Sequence, residues 1–413
     1  MFRKLLSLEE ARNAITRRFK PRALGVEEVP LLEAVDRVLA EDIVAANDNP
    51  PFDRSTVDGY AVKAEDTFGA QENRPVTLKI CGTARTGHIP RIKVGKKQAA
   101  EISTGAPVPE GADAVVMVEN TERKSLHIRV FSAIPKSGNV MKAGSDVSKG
   151  ETVVAKGRKL GSRETGAIAS VGMGKVKVQR IPRVAIISTG PEVIQPGNRL
   201  PPGKIYDINS YSLSAAVVRS GGKPIHVGIV EDEFSELQKA VMTALKSADI
   251  VVTSGGVSVG PKDLMPKVLA SLGSPGLILS GIAIKPGKPT TVAIIRGQLV
   301  YSLPGHPTSA LMVFHLLVRP TIQAMAGIAP AQDTEQEAVA GARMFSAKGR
   351  RTFVMVRLKQ DESNRIFAEP VSKGDSGAIT TLTEADGFVE IPENVQFVDA
   401  GERITVHLFG QNL

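Results

Sequence analysis

A single cysteine, Cys81, excludes an intramolecular disulfide and fits a reducing compartment. With no local support as a nucleophile, Cys81 reads as structural or incidental. Tryptophan is absent and aromatics make up only 4% of the 413 residues. The formal charge of +9 invites a nucleic-acid partner. However, the lysines and arginines are scattered, with no aromatic stacking ladder among them. An anionic small substrate fits that charge as well. The longest apolar run, Ala310 to Val318, contains His315 and falls far short of the roughly 20 residues that span a bilayer. Met1-Phe2-Arg3-Lys4-Leu5-Leu6 lacks a secretory apolar core. A cytoplasmic protein without membrane or nucleic-acid partners is expected. Neither zinc-type Cys/His spacing nor a Ser-His-Asp arrangement can be argued.

Glycine and proline, by contrast, are plentiful: 39 and 26 residues, which implies many turns and short strands. The length suggests about three domains. Ser7-Leu8-Glu9-Glu10 is a capping box that opens a helix with Leu8, Ala11, Ile15 and Phe19 on one face. A second amphipathic helix is predicted from Leu31 to Ala40. Residues 47–60 are dense in turn formers, and Asp58-Gly59 reads as a tight turn before Tyr60-Ala61-Val62. Short strands follow at Val76–Ile80, Ala99–Ile102, Ala114–Val118 and Leu126–Phe131, making a β-rich domain over 47–142. Residues 1–46 and 143–180, with a short helix at Thr165–Val171, form a discontinuous domain into which it is inserted.

From about 181 to 327 the texture changes. Strands are predicted at Val184–Ser188, Pro224–Val230, Ile250–Thr253, Thr291–Ile295 and Leu299–Leu303. Helices are predicted at Ser210–Ser220, Glu233–Ser247, Lys262–Leu272 and Ser309–Met325. That alternation gives a doubly wound, mostly parallel α/β domain. Residues 328–413 read as a small all-β domain, with strands at Phe353–Leu358, Arg365–Glu369, Phe388–Ile391 and Arg403–Leu408.

The chain is organised around Ala248 to Asp263, where a buried strand runs into Ser254-Gly255-Gly256 and then a helix. This order sets backbone N–H groups at the C-terminal edge of the sheet, where open α/β folds bind phosphates. Asp263 either complements the helix dipole or faces a cation such as Mg²⁺ shared with a phosphate. Other loops converge on that edge. They are Thr189-Gly190-Pro191-Glu192, Glu231-Asp232, and Pro304-Gly305-His306-Pro307-Thr308-Ser309, where Thr308 or Ser309 caps a helix. Ile284 to Thr291 presents Lys285 and Lys288 around a glycine, suited to an oxyanion. Glu192, Asp232 and Asp263 are candidate metal ligands. Each also has a plainer reading as surface acid or cap, as the lysines do as solvated charges. A lone loop histidine such as His306 is more often neither ligand nor base.

These residues resemble those of one family closely, the molybdopterin molybdenumtransferases, which include the E domain of gephyrin. The matching segments are Val57-Asp58-Gly59-Tyr60-Ala61, Thr104 to Val116, Ser188-Thr189-Gly190 and Tyr206-Asp207-Ile208-Asn209-Ser210. Ser254 to Gly260 with Asp263, Lys285-Pro286-Gly287-Lys288-Pro289 and Leu303-Pro304-Gly305 complete the set. Gly349-Arg350-Arg351 and Ser376-Gly377 match in character. Val57, Pro191, His306 and Gly281 depart from the family's usual residues. The resemblance implies that molybdate is inserted into adenylylated molybdopterin, with adenylate hydrolysis, AMP release and help from Mg²⁺ or a similar cation. It implies catalytic roles for Asp58, Glu192, Asp232 and Asp263. Contacts to the pterin nucleotide or oxyanion would come from Thr104, Thr189, Gly190, Asn209, Ser254, Gly255, Gly256, Ser258, Lys285, Lys288, Pro304, Gly305 and Ser309. It further implies a homodimer whose active site is shared, Asp58 and Thr104 arriving from the partner chain. A molybdopterin adenylyltransferase is a possible donor of the intermediate. Tungstate insertion, a non-catalytic gephyrin-like scaffold and molybdopterin adenylylation are the alternatives. The inserted and C-terminal β domains argue against adenylylation, and the retained acids argue against a scaffold.

Overall fold

The computed structural model describes residues 5–255, 264–330, 334–371 and 380–409. The chain divides into two units: 1–27, 36–38 and 177–413 in one, 28–35 and 39–176 in the other. Residues 1–46 are thus shared between them.

In the first unit a six-stranded sheet is built from β1 (Arg183–Thr189), β2 (Lys223–Val230), β3 (Ile250–Ser254), β4 (Gly276–Ser280), β5 (Thr291–Ile295) and β6 (Gln298–Leu303). The order is β2-β1-β3-β6-β5-β4. The pairs β2–β1, β1–β3 and β3–β6 are parallel, while β5 runs antiparallel to both β6 and β4. Helices α1 (Asn209–Arg219), α2 (Phe234–Ser247), α3 (Met265–Ser271), α4 (Pro307–Val313) and α5 (Arg319–Met325) accompany it. Period-two alternation sorts the strand side chains. Val184 and Ile186 of β1 join the core containing Leu213 and Val217 of α1, and Ala185 and Ile187 join the one containing Leu237 and Val241 of α2. All five residues of β3 are buried, which is why its apolar run Ile250-Val251-Val252 shows no alternation.

The capping box is present: Ser7 Oγ accepts from Glu10 N (3.1 Å) and Glu10 Oε2 from Ser7 N (2.7 Å). Leu8, Ala11 and Ile15 of that helix, Leu8–Arg18, bury into the α1-side core. The helix predicted at Ser309–Met325 is three pieces, with a π-helical turn at Phe314–Val318 between α4 and α5. Pro320 has no N–H for Leu316 O; that oxygen instead accepts from Arg12 Nη2 at 3.4 Å. Among the described residues, no helix is long and apolar enough to cross a membrane.

A second sheet closes on itself. Arg351–Gln360 pairs with both Ile366–Pro370 and Gly387–Ile391, and Glu335–Ala340 and Arg403–Leu408 complete the ring. One short helix, Thr380–Glu384, accompanies this barrel. Ile284–Lys285 pairs in parallel with the first residues of Arg351–Gln360, Lys285 opposite Thr352. That pairing ties the lysine loop of the α/β domain to the barrel.

The second unit holds a six-stranded sheet ordered Ala114–Met117, Gly59–Val62, Gln98–Ile102, Val76–Ala84, His127–Val130, Thr121–Lys124. Two expectations fail here. The amphipathic helix predicted for Leu31–Ala40 is a single 3₁₀ turn, Leu31–Ala34, because Val35 is extended and Asp36 takes φ +65°. Leu32, an apolar residue of that segment, is 81% exposed. Asp58-Gly59 is no tight turn either. Gly59 begins a central strand, and a Cβ there would sit 1.9 Å from Val116 O. Glycine is required by the neighbouring backbone, not by a turn.

Candidate functional site at the crest of the parallel strands

The parallel strands β1, β3 and β6 end side by side at Thr189, Ser254 and Leu303. One side chain straps their loops together: Asn209 Nδ2 donates to Ser254 Oγ and to Gly305 O, both at 2.7 Å. Ser254 Oγ donates in turn to Pro304 O at 3.1 Å. Gly255 has φ +101°, and a Cβ there would lie 2.2 Å from Thr189 O, so the loops can close only on glycine. Asp207, 7% exposed, accepts from Ser188 Oγ, Ser210 N and Ser210 Oγ at 2.6–3.0 Å. It is a satisfied structural acid that anchors the start of α1. Above these loops lies a cavity of about 670 Å³ bounded by Thr189, Glu192, Lys204, Asn209 and Gly255.

The polar atoms at this edge are not all satisfied. Thr189 Oγ1, Asn209 Oδ1 and Asp232 Oδ1 are buried and have no hydrogen-bond partner among the described residues. Native structures seldom leave such groups unmatched without a reason such as a ligand or ion. Burial raises the Asp232 carboxyl above its usual pKa. The nearby Thr189 hydroxyl, close without completing a bond, pulls it down, and the Glu192 charge pushes it up. Two mutually repelling carboxylates beside an orphaned hydroxyl suit a divalent cation, which would relieve both repulsion and burial. Among the described residues no three such ligands cluster, so the pair is Glu192 and Asp232. Asp263, Gly256 and Ser258 lie outside the described residues.

A second cavity, about 490 Å³, adjoins the loop 304–309. It is bounded by Lys285 and Lys288, by Pro304 and Ser309, and from the barrel by Arg350 and Thr381. The lysine loop is braced from within: Ile282 N donates to Lys288 O (3.0 Å) and Thr290 Oγ1 to Gly287 O (2.7 Å). Gly287, at φ +113°, packs where a Cβ would meet Val313 at 2.5 Å. His306 borders both cavities.

Comparison with known proteins agrees with this architecture. Residues 6–172 match the model for the MoeA N-terminal region (domain I and II), 185–324 that for a probable molybdopterin binding domain, and 337–409 that for the MoeA C-terminal region (domain IV). The molybdopterin molybdenumtransferase of Bacillus subtilis is 33% identical, covering 92% of this chain and 89% of its own. That of Haemophilus influenzae is also 33% identical, covering 99% and 100%. The chain belongs to the molybdopterin molybdenumtransferase family. Crystal structures of two molybdopterin biosynthesis MoeA proteins from Pyrococcus horikoshii superpose with TM-scores of 0.82 and 0.77, at 44% and 32% identity. Each covers 98% of this chain, and 99% and 100% of its own.

Against the residues expected from the family resemblance, the structure makes two groupings. Thr189, Gly190, Glu192, Asp232, Asn209, Ser254, Gly255 and Gly305 gather at the crest. Lys285, Lys288, Pro304 and Ser309 border the second cavity. Asp58 and Thr104 sit together in the other unit, where Asp58 Oδ1 accepts from Thr104 N at 2.7 Å. Sequence reasoning missed Lys204, whose Nζ donates to Pro191 O on the ribbon joining Val193–Ile194 to Ile205–Tyr206. It also missed Thr381. Lys204 follows Pro-Pro-Gly in what reads as a plain turn, and a hydroxyl without a partner has no signature in sequence.

Proposed function

We propose that this protein inserts molybdate into adenylylated molybdopterin and releases AMP. The observation that carries this is the meeting of two chemically distinct cavities at one loop, an acid-bearing one at the strand crest and a lysine-bearing one beside the barrel. The reaction needs both. Water must cleave a phosphoanhydride, one P–O bond breaking as water oxygen joins a phosphorus, and an oxyanion must stand beside the pterin.

Glu192 and Asp232 would hold Mg²⁺ or a similar ion, whose charge offsets that of the phosphates. The remaining work belongs to the chain's own groups. Asn209, its amide oriented by Ser254 and Gly305, leaves Oδ1 as an acceptor for a ligand N–H or O–H. Thr189 supplies a hydroxyl beside the acids. Lys285 and Lys288 neutralise the oxyanion. Asp58 and Thr104 would enter the reaction from a second copy of the chain. Mixed dimers pairing Asp58→Asn with Glu192→Gln are then expected to regain activity that neither variant has alone.

The direct test supplies purified protein with adenylylated molybdopterin, molybdate and Mg²⁺, then measures AMP released and molybdenum retained on the pterin. AMP without molybdenum uptake, or neither, defeats the proposal. Tungstate in place of molybdate measures the discrimination between two nearly isosteric oxyanions.

A further inference from the structure

Thr381 borders the lysine cavity with its hydroxyl unused, whereas several threonines nearby have theirs engaged. Thr352 Oγ1 accepts from Ala347 N (2.9 Å) and donates to Arg350 O (3.2 Å). Thr290 donates to Gly287 O, and Thr383, two residues along the same short helix, donates to Thr380 O at 3.0 Å. Thr381 is only 7% exposed, borders the cavity, and among the described residues its Oγ1 has no hydrogen-bond partner. A hydroxyl on a helix commonly returns its proton to a backbone carbonyl. Among the described residues Thr381 finds no such carbonyl, and a buried donor left idle is unfavourable unless something else occupies it.

We propose that Thr381 is a specificity-determining residue for the oxyanion, donating its hydroxyl hydrogen to one oxygen of a tetrahedral dianion held near Lys285 and Lys288. The assignment rests on the function proposed above. Lysines fix charge but little direction, because each ammonium rides on a flexible stem with rotatable donors. A short β-branched side chain on a helix confines its hydroxyl oxygen to few positions, and the proton turns to meet an acceptor. The walls beside it include Phe353 and Met355, both buried. They shed water from the anion, so that a neutral donor counts for more there. Every oxygen of a molybdate-like dianion accepts, so the hydroxyl finds an acceptor however the anion is turned.

The test measures binding of molybdate alone to the full chain by calorimetry, with KM values for molybdate and for adenylylated molybdopterin from AMP release. Thr381→Val is expected to weaken molybdate binding about tenfold, which equals about 1.4 kcal/mol. It should raise the molybdate KM in parallel and leave the pterin nucleotide KM unchanged. Thr381→Ser should restore most of the binding. The melting temperature of Thr381→Val should not fall, since the hydroxyl it removes bonds to nothing in the protein. Unchanged molybdate binding in Thr381→Val, or equal losses for both substrates with a lower melting temperature, would overturn the assignment while leaving the enzyme's function standing. Wild-type protein that takes up neither substrate would remove both.

Discussion

The crest of the α/β sheet and the Asp58–Thr104 loop of the β-rich unit are both polar, both built from glycine-rich turns, and differ in one respect. In the β-rich unit the acids are satisfied from within. Asp58 accepts Thr104 N, and Asp53 accepts Lys142 Nζ at 2.6 Å and Ala143 N at 2.9 Å. At the crest, Asp232, Thr189 and Asn209 each keep a buried atom unmatched. Among the described residues, every buried side-chain polar atom without a partner belongs to the α/β-and-barrel unit. The acids of the first region find partners within the fold. The second is completed by what it binds.

The carboxyl groups report the same contrast with opposite signs. Asp232 is raised by burial and by Glu192, while Asp53 is lowered, its burial outweighed by Lys142 and Ala143. The largest effect should therefore follow from Asp232→Asn. AMP release is expected to fall at least a hundredfold, with the fold retained. Stability should respond the other way. A raised folded pKa means the folded state binds the proton more tightly. Asp232 therefore favours folding at low pH and loses that contribution as pH rises from 3.8 through its folded value. In cation-free protein at neutral pH, Asp232→Asn should melt no lower than wild type. Mg²⁺ should raise the melting temperature of wild type only. A variant that melts lower without Mg²⁺ would place Asp232 with the satisfied acids.

Glycine substitutions sharpen the comparison next. Gly59→Ala drives a Cβ into Val116 O inside a sheet that has no slack, and a cost of about 3 kcal/mol or more is expected. Gly255→Ala meets Thr189 O and a left-handed backbone, but at a loop edge that can shift. It should cost about 1–2 kcal/mol in stability and a larger share of activity. Chemical denaturation beside AMP assays separates the two. Asn209→Ala should follow: two hydrogen bonds lost from a half-buried strap cost about 1–2 kcal/mol, and the KM for the pterin nucleotide should rise.

What sequence could and could not reveal follows the same line. The sheet was legible because burial leaves a mark: β3 opens on an unbroken Ile250-Val251-Val252 run, and β1 divides its residues between two cores. The capping box at Ser7 and Glu10 was legible because it is local. β4 was not, since Gly276-Leu277-Ile278-Leu279-Ser280 sits between turn formers and reads as part of a loop. Asp58-Gly59 misled because a glycine demanded by a neighbour's carbonyl looks the same in sequence as one demanded by a turn. The loops that converge at the crest could be named from strand order alone. That Asp232 and Thr381 would be left without partners could not, because an unmet hydrogen bond depends on every neighbour that fails to make it.

The smallest effect belongs to the satisfied acid. Asp53 carries a lowered pKa, so its contribution to stability is present above the ordinary 3.8 and fades as pH falls through the lower folded value. It is only partly buried and its lysine partner is about half exposed, so screening by water keeps the gain modest. Asp53→Asn should leave AMP release untouched and flatten only the acid limb of the stability curve. Because Ala143 N donates to the same carboxylate, Lys142→Met should remove part of that limb, not all of it. If both variants instead lose activity to the same degree as Asp232→Asn, the β-rich unit is not self-sufficient, and the division between the two regions fails.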